Sequence, residues 1–375
     1  MKKFNWEKWP KYNKNHARAV NEVIVSNQLF AADKVRKFEK AYSNYIGSKY
    51  ALGLGNATQG LQLSLHALGI GYGDEIIVTP YSWISSASCV LMQGAIPIFV
   101  DIEPESFGIS PELLERAITK KTKAVILVHM FGYPAKVKEI SEICKKYSIN
   151  LIEDASHAHG GKFKNQNLGT FGDISVFSLH QRKALPVGDG GIICTNKKKI
   201  FEDIYQMRSF GHKKLSYNYR MTEFAGALGL ECLKNLDKEN LIRRENHNFL
   251  AENLNNLIFR VIEPIKDSYA VYYSNLIEID LPLKKQKDLL SYANSANLLL
   301  KRTWQPLNKN PSFMRENMNN NYAPWDSHYE NFEEPNTLNL PISEEYQEKR
   351  LFELDCHPLI TKKEIKEAAE FLKSF

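Results

Sequence analysis

The chain has 375 residues, 43% of them hydrophobic and 25% charged. That balance belongs to a globular protein with a sizeable core and excludes one long disordered chain. Forty-nine Lys and Arg face 43 Asp and Glu, for a net charge of +6. The basic residues are spread in pairs such as Lys120–Lys121 and Lys145–Lys146, so the concentrated basic face of a nucleic-acid binder is not there, although the mild positive bias suits an anionic, phosphorylated substrate.

At about 100–200 residues per domain, the length predicts two domains, or one large α/β domain with a smaller appendage. The start, Met1-Lys2-Lys3-Phe4-Asn5-Trp6, is charged and aromatic and runs into polar residues. It does not read as a signal peptide, and no apolar run reaches the 18 residues of a membrane span, so the expected location is the cytoplasm, with no membrane partner. The five cysteines, Cys89, Cys144, Cys194, Cys232 and Cys356, are scattered, odd in number and lack a C-x-x-C pair. Reduced thiols are expected, and no zinc site.

From about residue 35 to 235, short β-rich runs alternate with helical patterns, the signature of βαβ units. The expected strands are Tyr50–Leu54, Glu75–Thr79, Ile96–Asp101, Ala124–His129, Asn150–Glu153, Ile174–Ser178 and Gly191–Thr195. Between them Gln59–Leu68 and Ala135–Lys146 repeat apolar residues at helical spacing. This predicts an α/β fold, a seven-stranded, mostly parallel sheet flanked by helices, as the large domain over residues 20–236. Lys197–Lys199 reads as a solvated turn after the last strand. Near residue 236 the pattern changes to a charged helix, Lys238–Asn255, then strand-like Ala270–Ile279 and a last helix, Lys362–Ser374. Residues 237–375, with 1–19 packing nearby, are expected to form a smaller C-terminal α+β domain. Asn308–Pro335 is rich in Asn, Pro and aromatics without periodicity, and is expected to be a long surface loop.

Three segments at expected strand ends carry chemistry, where open parallel sheets place their ligands. In Leu54-Gly55-Asn56-Ala57-Thr58-Gln59 a strand turns into a helix whose first amides and the Thr58 hydroxyl could hold a phosphate, although such a turn is also ordinary helix capping. In Glu153-Asp154-Ala155-Ser156-His157-Ala158-His159 an apolar strand ends in an acid that could hold the proton of a ring nitrogen, with His157 in reach of a ring hydroxyl. Asp154 could equally be a helix N-cap. A metal on His157 and His159 would need a third ligand that is not nearby. In Ser178-Leu179-His180-Gln181-Arg182-Lys183, followed by Gly188-Asp189-Gly190-Gly191, a lysine sits between a strand and a glycine-rich turn. Held there and desolvated, its amine would lose basicity and could attack an aldehyde, whereas an isolated loop lysine is simply solvated.

Taken in order, these segments resemble the DegT/DnrJ/EryC1/StrS family of pyridoxal-5′-phosphate (PLP) dependent sugar aminotransferases, which have the fold-type I architecture. The resemblance extends over Gly73-Asp74-Glu75 through Pro80-Tyr81-Ser82-Trp83, Gly94-Ala95-Ile96-Pro97 through Asp101, Tyr217-Asn218-Tyr219-Arg220, and Asp355-Cys356-His357-Pro358 into the last helix. It implies that Lys183 carries PLP as a Schiff base and that Asp154 partners the pyridinium nitrogen, these two being the catalytic residues. It implies further that Trp83 stacks on the ring, His157 approaches the ring hydroxyl, and Ala57, Thr58 and Ser178 bind the phosphate. Asn218 would reach the same phosphate from a neighbouring subunit, making a symmetric dimer with shared sites. Arg220, beside it, is a candidate for an acidic group of a substrate, or a structural ion pair. The family's usual Glu in the glycine turn is Asp189 here, its Gly before Tyr-Asn is Ser216, and its frequent Gln is His157.

The implied reaction moves an amino group from an amino acid, usually glutamate, to a keto-sugar, commonly a nucleotide-linked keto-deoxyhexose destined for polysaccharide, glycan or deoxyamino-sugar synthesis. Some relatives act on a keto-inositol. A sugar dehydratase on the same scaffold is expected to have His in place of Lys183, and a non-catalytic regulator to lose Lys183 or Asp154. Both residues are present.

Overall fold

A computed structural model describes residues 3–30, 32–210, 216–313 and 339–375. The strands β1 (Tyr50–Leu54), β2 (Glu75–Val78), β3 (Ile96–Phe99), β4 (Thr122–Val128), β5 (Asn150–Asp154), β8 (Ile174–Ser178) and β9 (Gly191–Thr195) form one sheet in the order β1-β9-β8-β5-β4-β2-β3. All seven expected strands are therefore there. Five run parallel from β3 to β8, and β9 lies antiparallel between β1 and β8.

Alternate residues of these strands go to opposite apolar clusters. Ile77, Val125, Leu127, Leu151 and Phe177 face one side, and Ile76, Val78, Ile126, Ile152 and Val176 the other. A pleated strand turns successive side chains to opposite faces, so a sheet covered on both needs continuous apolar runs. The first cluster is closed by helix α2 (Asp33–Ile46), through Phe38, Tyr42 and Ile46, and by α6 (Val137–Tyr147), through Ile140 and Cys144. The second is closed by α3 (Ala57–Ala67), α4 (Ser85–Met92) and α7 (Lys198–Met207).

A second sheet, all antiparallel, has the order β10 (Phe259–Val261), β12 (Ser274–Ile279), β14 (Leu351–Asp355), β13 (Leu300–Arg302). Helices α9 (Leu236–Leu254), α10 (Leu283–Ser295) and α12 (Lys362–Lys373) bury Leu250, Leu289 and Leu372 in its core, where Phe4 also packs. Helix α1 (Lys14–Ser26) instead lies on α8 (Glu223–Leu233), joining Ala19 and Val23 to Ala227.

Three expectations need correction. Lys197–Lys199 is not a turn: Lys197 precedes the first residue of α7 and its amine pairs with Asp173 at 2.5 Å, so the run opens a helix. Ala270–Ile279 is not one strand. A short pairing of β11 (Ser268–Tyr269) with β6 (Lys162–Phe163), beside β7 (Gln166–Asn167), precedes β12, and Tyr272 between them has φ 47°. There the backbone leaves the ladder to bond the Phe131–Gly132 turn, Tyr273 donating to the Phe131 carbonyl at 2.8 Å. Of the expected loop Asn308–Pro335, the first six residues are two tight helical turns, with Asn308 and Phe313 fully buried and Phe313 against Phe99. The remainder, apart from these, lies outside the described residues.

Candidate active site

The C-terminal ends of β4, β5 and β8 and the start of α3 open onto one cavity of about 340 Å³. Ala57, Thr58, Trp83, Asp154, His157, Ser178 and Lys183 all line it, so seven of the nine residues singled out in the sequence come together. Asn218 and Arg220 do not. Their segment runs along the end of β1, where Arg220 pairs with Leu54 and its guanidinium bonds the Asn218 side chain at 3.1 Å. That guanidinium also lies over the exposed rings of Phe30 and Phe210, at 4.9 and 5.1 Å.

Lys183 sits in the hairpin joining β8 to β9. Backbone bonds Leu179 to Gly190, Gln181 to Gly188 and Lys183 to His180, each 2.8 Å, fold the hairpin back on itself. Gly188 supplies the positive φ (95°) that this turn requires. The indole of Trp9, 174 residues away, donates to the Lys183 carbonyl at 3.0 Å. The Trp9 ring itself contacts the Arg243 guanidinium, at 4.9 Å, and stacks on the His357 ring, at 6.4 Å. The Lys183 amine stands 4.7 Å from the centre of the Tyr273 ring. Burial lowers its pKa from 10.5 to about 7, against the opposing pull of the Asp154 carboxylate.

Asp154 ends β5 and is buried. The Ser86 hydroxyl donates to its Oδ2 at 2.7 Å and the Ser156 amide to Oδ1 at 3.2 Å, while Ser82 and Ser86 share a further 2.7 Å bond. A buried carboxylate is tolerable only with such donors around it. His157 receives the Phe131 amide on Nδ1 at 3.2 Å, and its ring stacks on Tyr273 with centroids 4.3 Å apart. Burial first, then the nearby Lys183, holds its pKa well below the ordinary value, so the neutral ring carries its proton on Nε2. His159 is tied differently, with Nδ1 facing the Tyr42 hydroxyl and Nε2 donating to the Ser178 carbonyl, both at 2.8 Å. Among the described residues no cluster of His, Cys, Asp and Glu could hold a metal ion.

At the other end of the cavity, the Asn56 side chain caps α3 through the Gln59 amide at 3.0 Å. The amides of Ala57 and Thr58, at the head of the helix, have no intrahelical partner. Thr58 and Ser85 hydroxyls lie 2.7 Å apart beside them. β9 passes hard against this turn: a Cβ on Gly191 would sit 2.4 Å from the Asn56 carbonyl carbon, so only glycine fits.

Several lining residues escaped the sequence reading. Ser85, His180 and Arg182 are neighbours of residues already singled out, whereas Tyr273 and Trp304 come from beyond residue 237. Trp304 meets Trp83, itself 58% exposed, edge to face at 5.3 Å across the cavity mouth.

The fold is that of the fold-type I aminotransferases, and the chain is an aminotransferase. It superimposes on Helicobacter pylori PseC, an aminotransferase involved in the biosynthesis of pseudoaminic acid, with a TM-score of 0.87 and 26% identity over 100% of both chains. Residues 10–373 match the DegT/DnrJ/EryC1/StrS aminotransferase family, and the chain belongs to that family. It is 35% identical to the GDP-perosamine synthase of Escherichia coli O157:H7 over 263 residues, 68% of this chain and 72% of that one. It is 31% identical to the L-glutamine:2-deoxy-scyllo-inosose aminotransferase of Streptomyces lividus over 266 residues, 64% and 63% of the two chains.

Proposed function

We propose that the cavity holds PLP on Lys183 and that the protein transfers an amino group, from glutamate, to a nucleotide-linked keto-deoxyhexose. The observation that carries the reading is the pairing, across one cavity, of an amine lowered to about 7 with a buried carboxylate. The donor set fits the cofactor end to end. Free amides at a helix N-terminus, with Thr58 and Ser178, suit its phosphate, and Asp154 suits the protonated ring nitrogen. When bound, the cofactor supplies an electron sink that makes the substrate Cα proton removable.

The chain's own residues do the rest. The Lys183 amine, with a pKa of about 7, is partly neutral at pH 7 and would take the proton from the substrate Cα as general base and then give it back as general acid. Asp154, fixed by Ser86 and Ser156, keeps the ring nitrogen protonated. His157 offers an Nε2–H to the ring hydroxyl, the same kind of donor as the family's Gln, so this departure preserves the chemistry. Trp83 covers one ring face. Asn218 serves the phosphate of a second subunit's site, which makes the protein a homodimer with shared sites. The large domain spans residues 20–236 and the small one 237–375, and the enzyme works in the cytoplasm.

The similarity to an inosose aminotransferase favours a second acceptor, a keto-inositol, on the same machinery. The test is to purify the protein, look for an absorbance band near the visible edge, and trap the lysine-bound cofactor by borohydride reduction and mass spectrometry. Wild type should carry the adduct on Lys183 and Lys183→Ala should lack it. A wild type without bound PLP sinks the proposal. Glutamate-dependent amination of a panel of keto-sugar nucleotides and keto-inositols then decides the acceptor.

A further inference from the structure

The charged groups of the cavity are unevenly provided with partners. Asp154 is held by two donors, and Asp189 accepts its neighbour Gly190 amide at 3.0 Å. Arg182 differs. It is exposed, lines the cavity beside Lys183, and its guanidinium has no hydrogen bond or ion pair among the described residues. Arg208 and Arg302, by contrast, are engaged, the first with Glu39 and the Gly53 carbonyl, the second with the Glu348 carbonyl and Gln286.

A second donor shares the turn. The Arg182 amide donates to His180 Nδ1 at 3.3 Å, which leaves the neutral ring's proton on Nε2, and His180 also lines the cavity. Two donors of one hairpin therefore border the cavity that Trp83 and Trp304 also line.

We propose that Arg182, supported by His180, is the subsite that receives a substrate oxyanion at the cavity mouth. This rests on the aminotransferase reading. Both substrates of such a reaction are anions, an amino acid with its carboxylates and a sugar nucleotide with its diphosphate, and both must enter the same cavity in turn. The deep carboxylate of Asp154 repels either one. The Lys183 amine offers no fixed positive charge when it is neutral. A guanidinium compensates at any working pH, and its planar fork pairs two oxygens of a carboxylate or phosphate at once. Placed next to the reacting lysine in sequence, it orients the bound anion relative to the amine.

The experiment titrates the holoenzyme with two unreactive anions, following indole fluorescence. 2-Oxoglutarate reports the carboxylate source, and GDP or UDP the diphosphate source. Arg182→Gln should weaken at least one of them by about 10- to 100-fold, the range for hydrogen bonds to charged groups, while the cofactor absorbance stays as in wild type. Loss confined to 2-oxoglutarate assigns the donor carboxylate, and loss confined to the nucleotides assigns the acceptor diphosphate. Arg182→Lys should restore part of the lost affinity, and added salt should erode it. Unchanged affinity for both anions in Arg182→Gln, or no binding of either by wild type, overturns the proposal. Absence of the chromophore from wild type would instead defeat the cofactor reading, and the titrations would still judge Arg182.

Discussion

Replacing Lys183 by Met in the cofactor-free protein should change how stability depends on pH. The folded-state amine has a pKa of about 7 against 10.5 when exposed, because burial disfavours its charge. Below pH 7 it is protonated folded and unfolded, and the wild type carries the whole cost of the buried charge. Between pH 7 and 10.5 the unfolded chain holds a proton that the folded one has released. Stability therefore rises with pH there, by up to about 1.4 kcal/mol per pH unit. Methionine has no such charge. From pH 7 to 9 the wild type should gain up to ~2.7 kcal/mol relative to Lys183→Met. At roughly 2.1 cal/mol/K per residue over 375 residues this is a relative rise in Tm of ~3 °C. Melting curves of both proteins, stripped of PLP, in a pH series check it. Parallel curves would refute the claim that Lys183 is desolvated, and with it the basis for its role as a neutral base.

Ser86→Ala removes the 2.7 Å donor to Asp154 and leaves a buried carboxylate oxygen unsatisfied. A loss of about 1–3 kcal/mol in urea unfolding is expected, and an unchanged midpoint would mean that water replaces the hydroxyl. Gly191→Ala drives a Cβ into the Asn56 carbonyl. It should cost about 1–3 kcal/mol and raise the PLP concentration needed to saturate the visible band. Mixing inactive Lys183→Ala with inactive Asn218→Ala should restore activity, because one of the two sites in a mixed dimer is then intact. No recovery after subunit exchange would exclude shared sites.

The main sheet could be read from the sequence because its strands are buried on both faces, which makes Ile76–Val78 or Val125–Val128 unbroken apolar runs. The lysine, the acid and the helix turn could be read because each lies within a few residues of a strand end. Tyr273 and Trp304 could not. They belong to the chain beyond residue 237, and nothing local tells that a left-handed Tyr272 swings its neighbour under the Lys183 amine. The buried turns of Asn308–Phe313 are illegible for a similar reason, since the segment's polar composition hides the long-range packing of Phe313 on Phe99.

The bond from Trp9 to the Lys183 carbonyl ties together parts of the molecule that the two sheets keep apart. The indole rests on Arg243 of α9 and on His357, just beyond β14, yet its N–H ends on the hairpin of the main sheet. The lysine's main chain is thus clamped from outside its own layer. Any sliding of the small sheet against the large one must either carry this hairpin along or break the clamp, so a ring on the ninth residue sits where relative motion of the two layers would be felt first at the reacting amine.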